Sequence, residues 1–222
     1  MPKGDGDTLP RGAVRWAYSA PELWADGAVH AVGIAAAVAA SAILLAAVAG
    51  SVSNGDLAGL AVYLATLLAS IGISAAYNVW PVTRTKWILR RFDHSAIYAL
   101  IAGIYTPFLV ELEAWGLLGL VWAAAAGGIT LKLAVPGRFD RLAIALYLLL
   151  GWSSIVIFRT VIDGLPEATV WLVAAGGLLY SGGVVFHVLD RRFHNAIWHG
   201  FVLLGAGVHF SAVALLLLGA SA

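Results

Sequence analysis

Residues 27–50 read GAVHAVGIAAAVAASAILLAAVAG, 24 residues without one formal charge, and this stretch decides the fold. A helix needs about 20 apolar residues to cross the hydrocarbon core of a bilayer. The apolar core of a cleaved leader is shorter, about 7–15 residues. The polar segment before it, Met1–Glu22, carries Lys3, Arg11 and Arg15, as the charged start of a leader would. Its length nevertheless makes the apolar run a retained first membrane span.

Six further stretches follow the same rule, at roughly residues 57–80, 93–110, 114–133, 142–158, 169–188 and 195–218. Every backbone group in lipid must find its partner within the protein, so runs of this length are expected as helices. The connections between them are short. Ser51–Asp56 is a polar turn, Glu111–Glu113 is hardly a loop, and Val135-Pro136-Gly137 and Asp163-Gly164-Leu165-Pro166 carry helix breakers.

The basic residues follow the same division. Lys3, Arg11 and Arg15 precede the first span; Arg84, Lys86, Arg90 and Arg91 lie between the second and third. Lys132, Arg138 and Arg141 lie between the fourth and fifth, and Arg191 and Arg192 between the sixth and seventh. Only Arg159 breaks the alternation. Basic residues near span ends stay on the cytoplasmic side. The expectation is an all-α, seven-transmembrane bundle with its N-terminus in the cytoplasm and its C-terminus outside. It comprises a cytoplasmic tail over 1–22 and one membrane domain over 23–222, in a multi-pass membrane protein.

Composition excludes other classes. Of 222 residues, 61% are hydrophobic and 11% charged, whereas soluble domains carry about 25% charged residues. No basic stripe with interleaved aromatics points to nucleic acid. There are no cysteines, so a metal would need imidazole and carboxylate ligands. The expected partners are membrane lipids. The pairs Gly127-Gly128, Gly176-Gly177 and Gly182-Gly183 read as places of close helix approach. Trp24, Trp80, Trp87, Trp115 and Trp171 read as interfacial anchors.

Ionisable residues inside spans are costly and mark function by default. Ser74 and Asn78 share one helix face near the end of span two, and Asn195 and His199 share one at the start of span seven. Asp93 and His94 stand at the start of span three, and His30 near the start of span one. All fall at one membrane depth, while His209 lies ten residues beyond His199, about 15 Å deeper. Each also has a structural reading. Asp93 could begin a helix and favour its dipole, a lone histidine could bond a neighbouring helix, and Ser74 could bond back within its own.

These residues carry a resemblance. Glu22 with AVHAVG at 28–33, RRFDHSAIY at 90–98, IAGIYTPF at 101–108 and AIWHGFVL at 196–203 followed by His209-Phe210 resemble the bacterial hemolysin III proteins. Leu146-Tyr147, Gly151-Trp152, Gly176-Gly177, Tyr180 and Gly182 continue the likeness. That family belongs to the wider progestin and adipoQ receptor superfamily. The resemblance implies a seven-span fold and a cytoplasmic-side zinc site, with Ser-x-x-x-His on span two, Asp on span three and His-x-x-x-His on span seven. It also implies relatedness to membrane hydrolases of lipid amides, in which zinc polarises a carbonyl and activates water.

The chain departs from that pattern. Ser74 and Asp93 match the catalytic positions and His199 a metal position, but Asn78 and Asn195 stand at the other two ligand positions. Zinc takes imidazole, thiolate and carboxylate ligands, so the resemblance implies zinc while these residues weaken it. His194 or His187 could serve as substitutes, while His94 points about 100° away from Asp93 on a helix; His30, His94, His194 and His209 are further pocket candidates. The main expectation is a divergent hemolysin III-type protein with a cytoplasmic-side polar pocket that holds a water network or a lipid headgroup, and a weakened or lost zinc site. The alternatives are a metal-dependent hydrolase of lipid amides or esters, and a pore-forming cytolysin, which the family name suggests. No span carries the polar stripe along its whole length that an open pore needs.

Overall fold

The computed structural model describes residues 18–135, 139–189 and 191–220. The tail with Lys3, Arg11 and Arg15, and the segment Pro136–Arg138, lie outside the described residues. Helices α1 (Ala20–Val48), α2 (Asn54–Val79), α3 (Arg84–Glu111) and α4 (Trp115–Ala134) come first. They are followed by α5 (Asp140–Gly151), a 3₁₀ segment (Ser153–Ile157), α6 (Phe158–Gly164), α7 (Glu167–Leu189) and α8 (His194–Ala220). The described residues contain no strand.

Five of these helices, α1, α2, α4, α7 and α8, are long and apolar enough to cross a membrane. Large apolar side chains point outward along them, among them Val32, Ile43, Leu120, Leu178 and Leu204, all at least 60% exposed. A water-soluble surface rarely leaves such residues in continuous bands. The molecule is an all-α membrane bundle.

Two spans differ from the sequence expectation. α3 begins at Arg84, so Asp93 lies nine residues inside it. A carboxylate that deep does not serve the helix N-terminus, whose field fades within the first turn. The fifth apolar run is not one helix but α5, the 3₁₀ segment and α6. The break follows Gly151, and the hydroxyl of Tyr105 on α3 occupies it. That hydroxyl donates to Gly151 O at 2.7 Å and accepts from Ser154 N at 2.9 Å. Backbone groups freed inside lipid need such partners.

One residue of each glycine pair makes the closer approach. A Cβ on Gly128 would lie 2.4 Å from the Tyr98 ring, and one on Gly176 2.4 Å from the His209 ring, while one on Gly127 would meet nothing within 4 Å. Neighbours on a helix point about 100° apart, so the second residue of a pair meets a different surface, as Gly177 does at the Trp152 ring, 3.2 Å from its Cβ position. Of the expected anchors, Trp24, Trp80, Trp115 and Trp171 are exposed and Trp87 is buried. The Arg90 guanidinium lies 5.6 Å from the Trp87 ring centre.

Candidate functional site

The polar residues meet where α1, α2, α3 and α8 converge. Each helix presents its polar pair at i, i+4, which stacks two side chains on one face. α1 brings Asp26 and His30, α2 brings Ser74 and Asn78, and α8 brings Asn195 and His199. α3 adds Asp93.

The contacts form a chain. His199 Nδ1 lies 2.5 Å from Asp26 Oδ1. The His30 and His199 rings meet edge to face with centroids 4.4 Å apart. His30 Nδ1 is 2.9 Å from the Asp26 carbonyl, and its Nε2 is 3.2 Å from Ser74 Oγ. The Ser74 side chain hydrogen-bonds with the Asp93 carboxylate, which also lies within electrostatic reach of His199, Arg90 and Asp26. Ser74 is thus not simply bonded back to its own helix. Asn78 donates to Ser74 O at 2.9 Å, and Asn195 donates to Asn78 Oδ1 at 3.2 Å. Asp26, His30, Asn78 and His199 are all buried.

A buried lysine holds the end of α2 in place. Lys86 Nζ donates to Asn78 O at 3.0 Å and to Trp80 O at 2.9 Å. A cation at a helix C-terminus satisfies carbonyls that have no partner within the helix and complements the dipole. Asn78 is therefore fixed from both its backbone and its side chain. At the other end of the site, Glu22 Oε1 accepts from Phe193 N at 3.0 Å and ties α1 to the start of α8.

Of the remaining sequence candidates, His94, His187 and His209 line the cavity that the cluster opens into, and all four make contacts of their own. His94 accepts through its carbonyl from the Tyr147 hydroxyl at 2.9 Å. His194 is the first residue of α8, and its ring packs edge-on against Phe186, 5.3 Å away. His187 packs on Trp198 at 5.1 Å. His209 stacks on Tyr180 at 5.6 Å, and its Nδ1 bonds Gly205 O at 3.1 Å. None of the four joins His199 as a ligand. Asp26 was not among the sequence candidates, because it precedes the apolar run. Its spacing of four from His30 was the available signal.

A cavity of about 500 Å³ reaches this cluster. Asn78, Asp93, Asn195 and His199 line its polar end. Its walls are largely apolar, including Ile97, Ile101 and Phe108 of α3, Leu148 of α5, and Val173 and Val184 of α7. Along α3 the lining extends from Arg90 to Leu112, about 33 Å at the helical rise.

Residues 18–210 match the family described as Haemolysin-III related. The chain belongs to the haemolysin III family. It is 34% identical to the hemolysin-3 homolog of Bacillus subtilis (strain 168) over 201 residues, covering 88% of this chain and 94% of that protein. It is 42% identical to hemolysin-3 of Bacillus cereus over 126 residues, covering 54% of this chain and 58% of the other. The monocyte to macrophage differentiation factor of Homo sapiens is 30% identical over 165 residues, 68% of this chain and 67% of that protein. No solved structure matches. As a haemolysin III protein with apolar helices of spanning length, the chain is an integral, multi-pass membrane protein.

The residues at the ligand positions that the sequence resemblance implies do not fit zinc. Asn78 Oδ1 already accepts from Asn195 Nδ2, so the two carboxamides bond each other. Neutral amides are also poor zinc ligands beside imidazole and carboxylate.

Proposed function

We propose that this haemolysin III protein binds an amphiphilic lipid in the cavity, with the polar head among Asn78, Asp93, Asn195 and His199 and the apolar tail along α3, α5 and α7. One observation carries this reading: the cavity lining is largely apolar, and the polar cluster of Asn78, Asp93, Asn195 and His199 opens into it, with scattered polar groups such as Tyr105, Tyr180 and His209 elsewhere along its walls. Ligand pockets of about 300–1,000 Å³ that are mainly apolar, with few polar groups, fit small amphiphiles. The charge alternation supports placing the polar end at the cytoplasmic leaflet of a bacterial inner membrane. In this reading the family's three-imidazole zinc arrangement has been lost, and a hydrogen-bonded amide pair stands in its place.

The test is lipid binding by the full chain in nanodiscs. A fluorescent N-acyl amide should bind saturably. Ala174→Trp, which fills the cavity, should weaken binding about tenfold or more while the protein still melts cooperatively; such a loss corresponds to about 1.4 kcal/mol. Absence of saturable binding, or a filled cavity that binds as before, overturns the reading.

Asp93 and His199 lining the cavity, with Ser74 hydrogen-bonded to Asp93 behind them, favour a second reading, hydrolysis of a lipid amide or ester. Asp93→Ala and Ser74→Ala would then abolish turnover of the bound lipid. Unchanged turnover in both variants removes this reading and leaves lipid binding standing.

A further inference from the structure

We propose that Asp26, His30 and His199 form a divalent-metal site between α1 and α8, built from a different set of residues than the positions now occupied by Asn78 and Asn195. The proposal rests on reading the adjoining pocket as the functional centre. One ligand atom from each of the three residues lies within 4.8 Å of the other two. The Asp26 carboxylate is flanked on both sides: Oδ1 lies 2.5 Å from His199 Nδ1, and Oδ2 lies 3.7 Å from His30 Nδ1. Ligand atoms of a tetrahedral zinc with bonds of about 2.0–2.2 Å stand roughly 3.3 Å apart. Each of these pairs is within about 1 Å of that spacing, which small side-chain rotations can supply.

The local chemistry agrees. Asp26 and His30 are four apart on α1, so both ligands leave one helix face. All three residues are at most 8% exposed, and a buried carboxylate is costly unless a cation or donors compensate it. A proton between Asp26 and His199 satisfies that pair alone. A divalent cation satisfies the carboxylate and both imidazoles together, and it would replace the bond from His30 Nδ1 to the Asp26 carbonyl. His30 Nε2 would keep its contact with Ser74 Oγ at 3.2 Å. A hydrogen bond on the far ring nitrogen is the usual way a ligating histidine is oriented. Two imidazoles with one carboxylate suit zinc and neighbouring first-row divalent ions, and three protein ligands leave a position open to an oxygen donor. His199 lines the cavity, so the ion would sit beside the lipid head.

The test uses the full chain in nanodiscs, with Zn²⁺ or Co²⁺ alone as the probe. After gel filtration, wild-type protein should retain about one ion per chain, as expected of a single three-ligand site. Asp26→Asn and His30→Gln should each weaken affinity about tenfold or more. His187→Gln, whose ring packs on Trp198, should bind as wild type does. X-ray absorption of the cobalt-loaded wild type needs no variant and should show two imidazole ligands. Protein that retains no ion, an absorption spectrum without imidazole, or full metal content in folded Asp26→Asn and His30→Gln each overturns the proposal. Fluorescent N-acyl amide binding is measured on the same samples. Lipid bound without metal defeats this site alone; metal bound without lipid defeats the pocket reading alone.

Discussion

At the scale of the residue, one hydrogen bond joins Asn78 and Asn195, the Asn195 amide donating to Asn78 Oδ1 at 3.2 Å while the Asn78 amide donates to Ser74 O at 2.9 Å. Their α2 and α8 positions stay close enough to touch, so the separation that a shared ion would need is retained although the ligand chemistry is gone. A sharp expectation follows. In Asp26→Asn protein, which lacks the carboxylate of the α1 set, adding Asn78→His and Asn195→His should restore zinc retention through three imidazoles with His199. Zinc content of purified protein checks this, and a triple variant without zinc would show that the α2–α8 geometry is not that of a metal site. Six members of the cluster were legible in the sequence because polar residues stand out inside apolar runs: His30, Ser74, Asn78, Asp93, Asn195 and His199. Asp26 was not, since it stands one residue ahead of the first run and reads there as a solvated flank. A second expectation concerns Phe193, whose φ of 62° is uncommon for a residue with a side chain. Glu22 holds its N–H. Glu22→Ala should loosen the start of α8, seen as faster amide exchange at residues 193–195. Adding Phe193→Gly should slow that exchange again, because glycine takes positive φ without steric cost.

At the scale of the element, Tyr105 does for the fifth apolar run what a regular helix would do for itself. Gly151 O and Ser154 N lie where α5 gives way to 3₁₀ geometry, and one hydroxyl serves both. Tyr105→Phe leaves two backbone groups at the break without this partner. It should destabilise the protein by about 2 kcal/mol, read as a lower melting midpoint in detergent, with little change in helix content. An unchanged midpoint would mean that water or a shifted backbone satisfies the break. The break was not legible beforehand because hydropathy reports only how apolar a segment is, and residues 142–158 are apolar whether or not they stay helical. The early start of α3 escaped for the converse reason. Arg84, Lys86, Arg90 and Arg91 read as a loop, but Lys86 and Arg90 are buried, and Lys86 is engaged on the end of α2. Tertiary contacts thus drew a charged segment into helix.

At the scale of the whole molecule, the open question is whether the broken fifth segment crosses the bilayer, because its parity fixes the side on which everything after it lies. α5 has 12 residues, the 3₁₀ segment five and α6 seven. At helical rises of about 1.5 and 2.0 Å per residue they sum to roughly 38 Å, whereas α5 alone gives about 18 Å. The hydrocarbon core is about 30 Å thick, so only the three pieces together suffice. The lack of native cysteines makes this directly testable by placing single cysteines at exposed positions and labelling spheroplasts with a membrane-impermeant maleimide. Asn54→Cys, Glu111→Cys and Glu167→Cys should react in intact spheroplasts, and Thr83→Cys and Arg191→Cys only after lysis. The pair that follows the break decides the matter. Were α5 and α6 to dip into the membrane and return, Glu167→Cys would be protected and Arg191→Cys would react, leaving Asn54→Cys, Thr83→Cys and Glu111→Cys unchanged. Arg191 and Arg192 would then face the outside, against the bias that keeps basic residues cytoplasmic. α8 would run the other way relative to α1, although His199 on α8 and Asp26 on α1 are in direct contact near the N-terminal ends of both helices. Two helices that meet near their N-terminal ends and both extend away across the membrane must run parallel, which requires an even number of crossings from the start of α1 to the start of α8. Five helices and the broken segment supply that number only if the segment crosses.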